Sequence, residues 1–250
     1  MSLIFIVSVL LQLGCAVHVV RSGRPLYWIW LLLIGSYLAV AVYVLVAVLP
    51  DMRHDPRGRQ VTSKALQAID PQRRRRELQR KLEIANTVEN RRRLAEESLQ
   101  LGDYVNAQEL YQGLLSGMYE TDPNFMLGLA QAQAGNNDFT AARGTLERLI
   151  AANPQFRSPD GHLLYARCLE EVGETDKALE EYRVLADSYP GEEGRYRYAR
   201  LLRQMQRAGE ARDILQSQLR RAQAMPGYYR RKEQTWLKAA KLELAQIGEP

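Results

Sequence analysis

The sequence has little of what most active sites are made of. Its 250 residues include only two cysteines and three histidines. Cys15 and Cys168 lie far apart and no C-x-x-C segment occurs, so neither a disulfide framework nor a zinc site is expected. The Gly-rich phosphate-binding segments and the G-x-S-x-G turn of hydrolases are also missing. We therefore predict a protein without catalysis, metal or cofactor.

Carboxylate pairs do occur, but their spacing does not suit acid–base catalysis. Glutamates are adjacent in sequence at 96–97, 170–171 and 180–181. Neighbouring side chains on a helix diverge by about 100°, so the two carboxylates of a pair do not face one another. We interpret these pairs as solvated helix surface.

Charged side chains are nearly absent from residues 1–50, where Arg21 and Arg24 are the only two. This region contains two apolar runs, 3–20 and 26–49. As helices they would extend about 27 Å and about 36 Å, which is close to or above the ~30 Å of hydrocarbon in a bilayer. The sequence therefore predicts a transmembrane helical hairpin over residues 1–50.

Three other interpretations of the apolar runs are weaker. A cleaved signal peptide needs a basic start, and MSLIF has no basic side chain. A lipoprotein site would use Cys15, but Gln12 stands where an apolar residue is expected. The third interpretation is that both runs are buried core helices, but the second run is longer than an ordinary core helix. Gln12 and His18 are open to two interpretations, an intramembrane functional site or hydrogen bonds between the two helices, and we favour the second.

The basic character of the chain is confined to one segment. Residues 51–93 contain thirteen Lys or Arg against six Asp or Glu, whereas residues 94–250 contain nineteen against twenty-three. Because positively charged flanks stay cytoplasmic, both termini and the large domain are predicted on the cytoplasmic side of a bacterial inner membrane. Residues 51–87 are predicted as a juxtamembrane linker followed by a helix, with Asp70 as N-cap and Pro71 as its first residue.

Four consecutive arginines follow this helix start: Arg73, Arg74, Arg75 and Arg76. They are interpreted either as contacts to anionic lipid headgroups or as a topology signal on a solvated helix face, and both interpretations stay open. Nucleic-acid binding is not expected, because no aromatic residues interleave with these arginines.

Alanines recur through the rest of the chain at intervals of 33 to 36 residues: Ala107, Ala142, Ala178 and Ala211. Such a period is typical of stacked helical repeats, in which small side chains are needed where two helices come close. Gly102 and Gly173 are predicted to end helices with a left-handed backbone. We predict an all-α array of about four units over residues 88–226 and a C-terminal capping helix over residues 227–250.

The repeated segments resemble tetratricopeptide repeats (TPR). The matching stretches are LAEESLQLGDYVNAQELYQGLL, LGLAQAQAGNNDFTAARGTLERLIAANP, LLYARCLEEVGETDKALEEYRVLADSYP and RYARLLRQMQRAGEARDILQSQL. The resemblance implies an α-solenoid whose first helices line a concave groove that binds a protein partner. Mapped onto this sequence, the groove contains Arg92, Glu96, Gln131, Leu163, Arg167, Glu171, Tyr196, Arg200 and Arg203. The arginines favour an acidic or C-terminal peptide as ligand, and homo-oligomerisation is a further possibility.

The apolar N-terminus resembles the membrane module of cardiolipin synthases and related phospholipase D proteins. The matching text is HVVRSGRPLYWIWLLLIGSYLAVAVYVLVAVLPD, with a basic turn and a Trp-rich entry to the second run. The catalytic H-x-K motif of those enzymes is missing, because Val20, Pro56 and Leu164 stand two positions after the three histidines. The function hypothesis is a membrane-anchored adaptor that holds a protein partner. The alternative is a lipid-responsive regulator without catalysis.

Overall fold

The fold was analysed in a computed structural model, which describes residues 3–21, 27–34, 42–43 and 70–248. The chain divides into two units, Met1–Arg73 and Arg74–Pro250. The predicted linker residues 51–69 lie outside the described residues.

The described residues of the N-terminal unit include the helices α1 (Leu3–Arg21) and α2 (Tyr27–Ile34). They share a small core of buried apolar side chains, formed by Cys15, Val19, Leu32 and Tyr43. Trp28 packs against this core, with its ring centroid 5.2 Å from that of Tyr43 in an edge-on arrangement. Other large apolar side chains of the unit are exposed, namely Leu11, Leu13, Val17, Val20, Trp30 and Leu31.

The structure does not support the predicted transmembrane hairpin. Among the residues that the structure describes, no helix combines the length and the apolar character of a membrane span. Of the second predicted span, 26–49, the structure describes the eight residues of α2 and residues 42–43, which are also helical. Most of its remainder, residues 35–41 and 44–49, lies outside the described residues.

The second unit is helical throughout its described residues, apart from short turns and one 3₁₀ turn at Gly117–Tyr119. A first helix, α3 (Arg73–Ile84), precedes the repeats. Four helix pairs follow: α4 (Val88–Gln100) with α5 (Tyr104–Leu114), α6 (Pro123–Gly135) with α7 (Phe139–Ala152), α8 (Pro159–Glu171) with α9 (Thr175–Ser188), and α10 (Glu193–Gln204) with α11 (Ala208–Ala224). Each helix packs on the next one along the chain, so the pairs form a continuous stack.

The four repeat alanines are all completely buried: Ala107, Ala142, Ala178 and Ala211. A second set of alanines, twelve positions earlier in each pair, is buried to the same extent and comprises Ala95, Ala130, Ala166 and Ala199. The two sets lie on the second and the first helix of each pair. Close packing explains both, because a larger side chain would force the two helices apart.

The turn between the two helices of a pair is built in the same way four times. Its left-handed residue lies five positions before the repeat alanine and is Gly102, Asn137, Gly173 or Gln206, with φ between 61° and 82°. In the third pair the Gly173 N–H donates to the carbonyl of Glu170 and the Glu174 N–H donates to that of Leu169. Equivalent hydrogen bonds occur in the other three turns and satisfy the last carbonyls of the first helix. The predicted left-handed glycines are confirmed.

Both ends of the stack carry additional helices. The predicted N-cap arrangement at Asp70 is shifted, because residues 71–72 form a turn and α3 begins at Arg73. Leu78 of α3 is buried. After the last pair come α12 (Gly227–Lys232) and α13 (Gln234–Ile247), where a single capping helix was predicted. Ala240 of α13 is completely buried against the core of the last pair.

Candidate functional site

The candidate site lies on the first helices of the four pairs, where residues can be compared by their position in the repeat. Eleven residues before each repeat alanine lie Glu96, Gln131, Arg167 and Arg200. We call the surface formed by these four residues together with Arg92, Glu171, Tyr196 and Arg203 the first-helix face. It contains every residue predicted from the family resemblance to line a groove, apart from Leu163, which is buried and only 4% exposed.

Arg92 is held by carboxylates of its own helix. Its guanidinium donates to Glu89, 2.9 Å away, and to Glu96. The hydrogen bonds from Arg92 and Arg93 lower the pKa of Glu89 to about 2, and the Glu89 carboxylate in turn raises the pKa of Arg92. These groups line one side of a cleft of about 550 Å³ between the first and second pairs. The charge of Arg92 is therefore already balanced within the protein.

Gln131 and Arg167 have no such internal partners. The Gln131 side chain is exposed and the Arg167 side chain is half-buried. Neither makes a side-chain hydrogen bond or an ion pair with the described residues. They occupy equivalent positions on the adjacent helices α6 and α8, with Glu171 exposed one turn further along α8. This central part of the first-helix face has its polar groups available to a ligand.

Arg200 forms an ion pair with Glu170 of the preceding pair. The Tyr182 hydroxyl donates to the other oxygen of Glu170, at 2.7 Å. Burial opposes the charge on Arg200, but the Glu170 carboxylate outweighs it and raises the pKa of this arginine. Burial and the same carboxylate raise the pKa of Tyr182. These three groups link the third pair to the fourth, which makes Arg200 a structural residue.

The two other predicted residues of the fourth pair contact the capping helix. Arg203 pairs with Glu243 of α13, whose side chain is 9% exposed. The ring of Tyr196 lies 5.7 Å from that of Trp236, and the guanidinium of Arg197 lies 5.5 Å from the same Trp236 ring. The side chains predicted to bind a ligand in the fourth pair therefore already contact partners within the protein.

The arginines predicted to meet lipid headgroups include two that are paired within the second unit. Arg74 lies 3.0 Å from the carboxylate of Glu97, which is almost fully buried. Arg75 lies 2.6 Å from Asp103 at the start of α5. Both ion pairs connect α3 to the first repeat pair, so these charges have a role in holding α3 in place.

A polar pair that the sequence analysis did not single out joins α8 and α9 within the third helix pair. The His162 Nε2 and the Glu181 Oε2 are 2.6 Å apart beside an apolar cavity of about 360 Å³. A signal was present in the sequence. At the position of Glu181 the other repeats have Leu110, Thr145 and Ile214.

The described residues include no cluster of three or more His, Cys, Asp or Glu that would hold a metal ion. Burial raises the pKa of the Cys168 thiol to about 11, so this cysteine is a packing residue and not a nucleophile at neutral pH.

Comparison with known proteins identifies the repeats. The family model described as tetratricopeptide repeat matches residues 92–155 and 127–193. A search of curated proteins found no match.

Two solved structures show the same fold. A thermophilic TPR protein in Thermus thermophilus aligns with a TM-score of 0.50 and 20% identity, covering 75% of this chain and 94% of its own. A putative kinesin light chain of Podosopora anserina with nearly identical TPR-like repeats aligns with a TM-score of 0.51 and 18% identity, covering 64% of this chain and 84% of its own. The predicted resemblance to tetratricopeptide repeats is confirmed. Residues 92–193 match these repeats, and the helical array that contains them is an all-α solenoid of the TPR type.

Proposed function

We propose that the protein is a non-catalytic scaffold that binds a partner protein through its first-helix face. The TPR fold supports this proposal because it is in general a protein-interaction fold. The observation that carries it is the pair Gln131 and Arg167. Both lie at equivalent positions of adjacent first helices, and their polar groups make no bonds to the described protein.

The ligand that suits this surface is an acidic segment or the C-terminal carboxylate of a partner. Arg167 offers a guanidinium without an internal carboxylate, which can bind a carboxylate through two parallel hydrogen bonds. Gln131 beside it can bind the backbone of an extended peptide. Arg92, Arg200 and Arg203 would contribute only if their internal ion pairs opened, so we assign the main contact to Arg167.

The proposal predicts that a photo-crosslinking amino acid at Gln131 captures a partner in living cells. Introducing the Arg167→Ala substitution into the same protein should lower the crosslinking yield about tenfold, since hydrogen bonds to charged groups contribute about 1.5–3 kcal/mol. The measurement is the yield of the crosslinked band and its identification by mass spectrometry. A band at twice the mass of the chain would identify the partner as a second copy.

The matched control places the crosslinker at Arg183, an exposed arginine on the second helix α9. A band of equal strength from both positions would show that capture is not specific to the first-helix face. A yield from Gln131 that is unchanged by Arg167→Ala would contradict the role of Arg167.

We propose, as a second function, that the N-terminal unit holds the scaffold at a membrane. The supporting observation is the number of large apolar side chains that α1 and α2 expose, with Leu13 57% and Trp30 69% accessible. Exposed apolar surface of this kind marks contact with lipid or with an apolar partner. The lipid-responsive alternative, which relies on Arg73 to Arg76, has weaker support because Arg74 and Arg75 are paired with Glu97 and Asp103.

Flotation of the full chain with liposomes distinguishes the two membrane hypotheses. We expect the protein to float equally with neutral and anionic vesicles and to stay bound in high salt, because apolar contacts are not screened. Replacing the four arginines by glutamine should leave flotation unchanged. Binding that requires anionic lipid and is lost in high salt would instead favour the lipid-responsive regulator, and no flotation at all would contradict both.

A further inference from the structure

A cavity of about 360 Å³ lies between the second and third helix pairs. Its walls are mostly apolar and come from the second helices α7 and α9, from Leu127 of α6, from α8 and from the loop before α8. They include Leu146, Leu149, Ile150, Phe156, Tyr165 and Leu185. The polar residues of the wall are Arg157, Ser158, His162, Glu181 and Ser188. An apolar pocket of this size with a few polar groups is typical of a ligand site.

The repeats themselves explain why a cavity exists at this junction. In the second pair, the residues seventeen and sixteen positions before the repeat alanine are Phe125 and Met126, and both are buried. In the third pair the same positions hold Gly161 and His162. The third pair therefore presents a smaller and more polar surface to the second pair than the second pair presents to the first.

The corresponding junction between the third and fourth pairs is closed by other means. Gly194 packs so tightly that an added Cβ would lie 3.2 Å from the carbonyl oxygen of Leu185. Arg195 and the completely buried Glu192 and Gln218 occupy this region as a polar network with Arg221. The junction between the third and fourth pairs is therefore filled by these side chains, whereas the junction between the second and third pairs contains a pocket.

Glu181 gives the pocket its chemical preference. The His162 ring N–H donates to one carboxylate oxygen, and the other oxygen, Oε1, accepts no hydrogen bond from the described protein. Leucine, threonine and isoleucine stand at the equivalent positions, so packing of the repeat does not require this carboxylate. Burial, with the nearby charges of Glu147 and Glu181, raises the pKa of Tyr165.

Arg157 is a cationic residue of the pocket lining, and it is hydrogen-bonded to backbone carbonyls. The Arg157 guanidinium is exposed and donates to the carbonyls of Pro154 and Phe156, at 2.6 Å and 3.1 Å. It therefore makes no bond to Glu181. The pocket combines apolar walls with one available carboxylate oxygen, which is complementary to an aliphatic chain that ends in a positive charge.

We propose that this pocket binds a lysine side chain of a partner protein. The methylene stem of the lysine packs against Ile150 and Phe156, whose side chains are accessible in the pocket wall, and the ammonium group donates to Oε1 of Glu181. A single available oxygen suits the compact ammonium group better than the two-pronged guanidinium of arginine. The site is a second docking point, independent of the acidic-peptide contact at Arg167.

The test uses three capped peptides and the full chain with labelled leucine methyl groups. The peptides share the sequence acetyl-Leu-X-Leu-amide, where X is lysine, norleucine or glutamate. Norleucine keeps the aliphatic stem of lysine and removes the charge. We expect the lysine peptide to shift the methyl signals of Leu146, Leu149 and Leu185 and to bind about tenfold more tightly than the norleucine peptide, with the glutamate peptide weakest.

The substitution Glu181→Gln should abolish the preference for lysine over norleucine. The matched control, Glu180→Gln, removes an adjacent exposed carboxylate that does not line the pocket and should keep the preference. Methyl signals of Leu202 and Leu215, which lie in the core of the fourth pair, report whether each variant is folded. The proposal is overturned if norleucine binds as tightly as lysine, if no peptide shifts the pocket signals, or if the preference survives Glu181→Gln.

Discussion

Replacing Ala178 by tryptophan should lower the free energy of unfolding by about 3 kcal/mol or more, the upper end of the cost of overpacking. Ala178 is completely buried on α9 and belongs to the core formed with Leu169, Tyr182 and Leu185. The backbones of α8 and α9 pass close to one another here, so an indole ring has no space without moving one helix. The measurement is urea unfolding followed by far-ultraviolet circular dichroism.

Ala151→Trp is the control for this substitution, because Ala151 is an exposed residue near the end of α7. A change of at most about 0.5 kcal/mol is expected there. If Ala178→Trp left the unfolding midpoint unchanged, the assignment of the repeat alanines to helix crossings would be wrong.

Two glycine-to-alanine substitutions should change stability in opposite directions. Gly128 is buried on α6, and an added Cβ would lie 2.3 Å from the ring of Tyr111, which is itself only 4% exposed. The ring has to move within a packed core, and we expect Gly128→Ala to lower the free energy of unfolding by about 1–3 kcal/mol. This cost exceeds the gain of about 1 kcal/mol that alanine brings to a helix interior.

Gly144 on α7 provides the matched comparison. No atom lies within 4 Å of the Cβ that an alanine would add there. Gly144→Ala should therefore raise the free energy of unfolding by about 0.5–1 kcal/mol through helix propensity alone. Thermal and urea unfolding of the two variants would both report the difference in sign. Stabilisation by both substitutions would mean that Tyr111 does not pack on Gly128.

The helical array was predictable because its requirements fall on residue types with few substitutes. Where backbones nearly touch, only a small side chain fits, so the alanines recur visibly in the sequence. The left-handed residues of the turns are harder to recognise from the sequence. Gln206 adopts a left-handed backbone with φ of 62°, although glutamine disfavours it. The hydrogen bonds of the repeated turn outweigh that preference, and no local pattern at Gln206 reveals it.

Whether a predicted binding residue is paired within the protein depends on contacts that its position in the sequence does not reveal. Arg200 meets Glu170 from the preceding pair, and Arg203 meets Glu243 of α13. The partners in each ion pair lie 30 and 40 residues apart in sequence. Their pairing follows from how successive helices stack. Arg167 is also an arginine and stands at the repeat position of Arg200, but it has no ion-pair partner among the described residues, and only the structure distinguishes it from the others.

The pocket beside His162 shows a signal that was present but not used. A comparison of each position across the four repeats distinguishes Glu181, because the equivalent residues of the other repeats are Leu110, Thr145 and Ile214. In a repeat protein the units serve as references for one another. A polar residue at a position that the other units fill with apolar side chains is a candidate for function.

The helices at the two ends of the array have a consequence for assembly. Stacked-repeat proteins with bare terminal faces can grow head to tail into filaments, because each end resembles the surface that its own neighbour would offer. Here Leu78 of α3 and Ala240 of α13 are buried at opposite ends, and ion pairs fasten both helices. Head-to-tail growth through the two ends of the helical array is therefore not expected.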